Sequence, residues 1–75
     1  GILILQMGSF GDQQSADAQR AKLAMMGVSS NVVQATVNGK TVYRVQSGRL
    51  SRAEAERTRQ TLKQNGVDSL TRNAN

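Results

Sequence analysis

The sequence predicts a small α+β domain with the element order βαββαβ, in which a four-stranded antiparallel sheet carries two helices on one face. Three observations predict it. Four short apolar or β-branched stretches are bounded by Gly, Asn and Ser, as strands are. Two longer stretches carry apolar residues at helical spacing between them. The chain also repeats itself. Gln6-Met7-Gly8-Ser9-Phe10 returns as Gln46-Ser47-Gly48-Arg49-Leu50, and Ala16 to Ser30 returns as Ala55 to Ser69, each about forty residues later. Two βαβ halves of this kind pack as a split βαβ sandwich, the ferredoxin-like or RNP-like arrangement, with the first and third strands central.

The first strand is expected over Ile2 to Met7, opening on the apolar run Ile2-Leu3-Ile4-Leu5. Gly8-Ser9-Phe10-Gly11 reads as a sharp strand-to-helix turn with exposed backbone amides, in which Phe10 plugs the edge of the core. The first helix starts at an Asp12 N-cap and runs to Met26, with Ala16, Gln19, Leu23 and Met26 on one face and Gly27 as its stop. The second strand covers Asn31 to Val37 and the third Thr41 to Ser47, around the hairpin signal Asn38-Gly39. A two-residue turn there would pair Gln34 with Tyr43 and bury an amide. A three-residue loop over Val37 to Gly39 instead turns Val33 and Ala35 inward beside Tyr43, and this register is the preferred expectation. Ser51-Arg52-Ala53-Glu54 is a capping box, so the second helix spans Arg52 to Asn65 before Gly66. A short last strand, Ser69 to Arg72, precedes the polar tail Asn73-Ala74-Asn75. Leu3, Leu5, Met7, Tyr43 and Val45 should meet Ala16, Leu23, Ala55 and Leu62 in the core.

Composition narrows the chemistry. The 75 residues make one domain, residues 1–75, expected to be the C-terminal module of a longer protein. A chain this short buries only about 60–65% of its unfolded surface. Cysteine and histidine are absent, so thiolate or imidazole metal sites and histidine acid–base catalysis have no residues to use. No metal, no cofactor and no catalytic residue is expected, and the reading is of a non-enzyme. Ten Lys and Arg against five Asp and Glu give a net charge of +5, which favours an anionic partner. The longest apolar run is far short of the ~20 residues that span a bilayer, so any membrane attachment is expected from a segment upstream.

Alternation along the central strands places Gln6, Val42, Arg44 and Gln46 on the sheet face away from the helices. A solvated sheet face is ordinarily polar, so any one of these residues suits solubility as well as binding. Together they put amides and a guanidinium on two adjacent strands, a set suited to sugar hydroxyls, N-acetyl groups and carboxylates. RNA-recognition modules of this topology stack bases on aromatic rings here, whereas this chain has one Phe, one Tyr and no Trp.

The motifs Leu5-Gln6-Met7-Gly8-Ser9-Phe10, Ala16…Leu23…Gly27, Tyr43-Arg44-Val45-Gln46-Ser47-Gly48 and Ala55…Leu62…Gly66, in that order, resemble the SPOR domain. The first motif and first helix look most like those of a cell-division member of the family. The resemblance implies a periplasmic peptidoglycan-binding module of a Gram-negative envelope. Such a module recognises denuded glycan strands, stripped of their stem peptides, and thereby gathers its parent protein at the division septum. It implies that Gln6 and Ser9 in the first motif, Arg44 on the third strand and Thr71 near the last strand contact glycan, and that Val42 holds a position often aromatic in relatives. With Gln46, these are the candidate site residues. A monomer is expected, with other division proteins as partners through the parent protein. The alternative function is a single-stranded RNA-binding RNP-like module. A third reading, a protein-binding helix face at Arg52, Arg59 and Lys63, competes with an ordinary solvated surface.

Overall fold

Both helices are written in the same way: an alanine, a leucine two turns later on the same face, then a glycine. The computed structural model, which describes residues 1–74, shows what that spelling does. The elements are β1 (Leu3–Phe10), α1 (Gln13–Met25), β2 (Asn31–Val37), β3 (Lys40–Gln46), α2 (Arg52–Gln64) and β4 (Leu70–Asn73). Ala16 and Leu23 of α1 and Ala55 and Leu62 of α2 are buried with Leu5, Met7, Val28 and Val45 in one core. The small alanines let each helix lie close to the sheet, and the leucines fill the space between the layers. At the helix ends, Gly27 and Gly66 take positive φ of 79° and 71°. The N–H groups of Val28 and Val67 then reach back to the carbonyls of Leu23 and Leu62, both at 2.9 Å. Each is a Schellman stop, so the internal repeat in the sequence is a repeated helix ending.

The helix starts are also as expected. Asp12 caps α1, accepting the Ser15 N–H at 2.7 Å. Ser51 and Glu54 form the reciprocal box on α2: Glu54 N–H donates to Ser51 Oγ at 3.1 Å, and Ser51 N–H donates to Glu54 Oε1 at 2.8 Å. The Ser51 backbone N–H first, and its hydroxyl second, hold the Glu54 carboxyl below its ordinary value. A depressed folded-state pKa stabilises the fold above the carboxyl's ordinary value, and that contribution fades as pH falls through the lower folded value. Glu54→Ala should therefore lower the thermal midpoint at neutral pH, and the gap from the parent chain should close in acid. Calorimetry at neutral pH and at successively more acid pH checks it; a gap that widens in acid would count against the box.

The sheet order is β2-β3-β1-β4, with every neighbouring pair antiparallel. This is the predicted α+β arrangement, with β1 and β3 central. Two local readings need correction. The first concerns Gly8-Ser9-Phe10, which is not a turn. β1 continues to Phe10, and its register against β3 shifts between Gln6 and Ser9. Gln6 pairs with Gln46, but Ser9 pairs with Arg44 and Phe10 with Tyr43, so β1 holds one extra residue. The second concerns the β2–β3 hairpin. Val37 pairs with Lys40, leaving a two-residue turn in which Asn38 and Gly39 have φ of 51° and 76°. Asn tolerates the left-handed region, so the turn needs no third residue. Gln34 consequently pairs with Tyr43, while Val33 and Ala35 lie opposite Arg44 and Val42 on the uncovered face. The burial cost that argued against this register does not arise, because β2 is an edge strand and Gln34 is exposed. Among the described residues, no helix is long and apolar enough to cross a membrane.

Candidate functional site

The extra residue in β1 decides what its end presents. Up to Met7 the strand alternates regularly: Leu3, Leu5 and Met7 turn toward the helices, and Ile4 and Gln6 turn away. Unbroken alternation would send Ser9 inward and Phe10 outward. The bulge reverses that order. Ser9 faces out beside Arg44, and Phe10 faces in beside Tyr43, where both rings pack against the core. Gly8 adopts a φ of 148°, and a Cβ there would lie 2.7 Å from Phe10 Cε2. The ring thus closes over the bulge because residue 8 has no side chain.

α1 secures the distortion. Gln19 Nε2 donates to the Met7 carbonyl at 3.1 Å, satisfying a backbone acceptor at the bulge. Gln19 was expected on the inner face of α1 from spacing alone; this bond is its role. Gln19→Ala should cost about 1 kcal/mol. It should also speed amide exchange at Gly8 and Ser9 relative to the rest of β1. Exchange rates that stay unchanged there would remove Gln19 from this role.

The uncovered face can now be assembled. Gln6 and Gln46 form one cross-strand pair and Ser9 and Arg44 the next, all on adjacent central strands. Val42 shares this face and lies opposite Ala35. Five of the six sequence-derived site residues are therefore brought together. Thr71 is not: it pairs with Leu5, and so points to the helix side. Its neighbour Arg72 pairs with Ile4 on the uncovered side. Arg72 Nη2 donates to Gln46 Oε1 at 3.2 Å, so its side chain reaches across β1 toward β3. Sequence reading missed Arg72 because β4 is short and polar, with one apolar residue, Leu70, that gives no alternation to follow. Leu70 itself faces out, opposite Gln6, and is 69% exposed.

Arg44 is half-buried and has no carboxylate partner among the described residues, where the one ion pair joins Arg59 to Glu56 on α2. The face therefore offers an unneutralised guanidinium, a second arginine bound to a neutral amide, and the free amide of Gln6. That combination can bind an anion through a two-pronged contact while bonding hydroxyls and amides beside it. The flank formed by Val33, Ala35 and Val42 is aliphatic. No rings stand on this face to stack nucleobases, since Phe10 and Tyr43 both turn inward. Among the described residues no cluster of metal-ligating side chains is present.

Comparison with known proteins agrees with this geometry. The family model described as SPOR domain matches residues 1–73. Among curated proteins no match is found. Two solved structures share the fold. The crystal structure of the RlpA SPOR domain from Pseudomonas aeruginosa superposes with a TM-score of 0.82 at 24% identity, covering 95% of this chain and 97% of that one. The solution structure of the peptidoglycan binding domain of the B. subtilis cell wall lytic enzyme CwlC gives a TM-score of 0.71 at 23% identity, covering 96% of this chain and 87% of that one. With the family's motifs, strand order and helix endings all in place along nearly its whole length, the chain belongs to the SPOR domain family.

Proposed function

We propose that this domain binds peptidoglycan without catalysis, through the uncovered face of β1 and β3, and that it prefers glycan strands stripped of their stem peptides. The observation that carries the reading is Arg44: a cation at the centre of an open sheet face, flanked by Ser9 and Val33, with no acidic partner among the described residues. Removing the stem peptide exposes a lactyl carboxylate on each N-acetylmuramic acid, so a stripped strand is a polyanion. An intact stem peptide removes that charge and occupies the space above the sheet, which disfavours binding on both counts. Membership of the SPOR family and the fold shared with a peptidoglycan binding domain support the choice of polymer. A parent protein carrying this domain would be held in the cell envelope, and at the division septum where stripped strands accumulate.

Pull-down with purified sacculi, before and after amidase treatment, tests the reading. Amidase treatment should increase the bound fraction several-fold. Equal binding before and after would overturn the preference for stripped strands, and no binding to either would overturn the function.

A further inference from the structure

Beyond Gln6, β1 has lost its β4 neighbour, because β4 begins at Leu70. A cleft of about 210 Å³ opens there, lined by Gln6, Gly8 and Ser9 on one side and Asp68, Ser69 and Leu70 on the other. Its walls are mostly apolar, with polar groups at a few points. We infer that this cleft holds the acetamido group of an amino sugar whose carboxylate lies on Arg44, an inference that rests on the glycan reading above.

Three features of the cleft select that group. Leu70 offers an exposed aliphatic surface for a methyl group. Gln6 and Ser9 can donate to a carbonyl, and the Asp68 carboxylate can accept an amide N–H. None of these polar side chains is committed elsewhere: the hydrogen bonds and ion pair of the described residues involve Asp12, Ser15, Gln19, Ser47 and others, but not these. Charge completes the selection. Asp68 repels an anion, so the neutral amide enters the cleft and the carboxylate goes to Arg44. The two subsites are neighbours because Ser9, in the cleft wall, is the cross-strand partner of Arg44. A sugar bearing a carboxylate ether and an acetamide on adjoining ring carbons presents its groups with the same adjacency.

The test uses peptide-free glycan strands that are N-deacetylated and then re-acylated with either acetic or benzoic anhydride. Both products are neutral amides on the same anionic chain and differ in bulk. Binding is measured by calorimetry with the parent chain and with Leu70→Ala, a substitution at an exposed position. Re-acetylated strands should bind as native stripped strands do, and benzoylated strands at least about tenfold more weakly. Leu70→Ala should weaken binding of acetylated strands about fivefold. Equal binding of the two products, or an unaffected Leu70→Ala, would overturn the acetamido subsite while leaving the glycan reading intact. Failure of native stripped strands to bind would overturn both.

Discussion

Arg44→Ala is expected to weaken binding of stripped glycan strands by about 10- to 100-fold, the loss of a charged hydrogen-bonding contact worth about 1.5–3 kcal/mol. The thermal midpoint should move by less than about 4 °C, since Arg44 faces out of the sheet and holds no ion pair among the described residues. That split between affinity and stability separates a ligand contact from a structural residue. Two further substitutions sharpen it. Arg44→Lys keeps the charge but loses the planar fork, and should fall between the parent chain and Arg44→Ala. Arg44→Glu reverses the charge and should abolish binding to a polyanion. Binding by the parent chain should also weaken as salt rises, and Arg44→Ala should flatten that dependence. An Arg44→Ala chain that binds stripped strands as tightly as the parent would leave the proposed function without its central contact.

Where the sequence was legible, local chemistry left one solution. Asp12, Ser51 with Glu54, and the glycines at 27 and 66 mark both ends of both helices, and each mark is a hydrogen bond or a positive φ that few residues supply. The central placement of β1 and β3 followed from the internal repeat. Gln6, Arg44 and Gln46 followed from strand parity, which is reliable where apolar residues line one face. Parity failed where that guide was missing. In β2 the run Val32-Val33 is apolar on both faces, so the hairpin turn alone sets the register. In β4 a single leucine cannot indicate which side is buried, so alternation does not single out Arg72; Thr71 comes from the family resemblance, and it points to the helix side. In β1 the failure was of another kind. Gly8 was read as a turn residue, whereas its lack of a side chain serves a bulge within a continuing strand. Ser9 was nonetheless selected, through family resemblance rather than through alternation, which would have turned it inward.

Replacing Gly8 with alanine should damage the fold more than any exchange of a single contact on the binding face. The register shift in β1 is taken up around Gly8, and the Phe10 ring lies where a side chain at that position would stand. Gly8→Ala tests that close approach. The added methyl would lie 2.7 Å from Phe10 Cε2 and 3.1 Å from Cζ, at a φ of 148° that side chains rarely adopt. The ring is packed against the core and cannot swing away freely. Destabilisation of about 1–3 kcal/mol is expected, which lowers the midpoint of a domain this size by about 5–15 °C. Pairing Gly8→Ala with Phe10→Leu distinguishes the two causes. If the clash dominates, the smaller residue at position 10 recovers part of the loss; if backbone strain dominates, the losses accumulate. Should Gly8→Ala leave the midpoint unchanged, neither the close approach of the Phe10 ring nor the backbone at residue 8 would require glycine there.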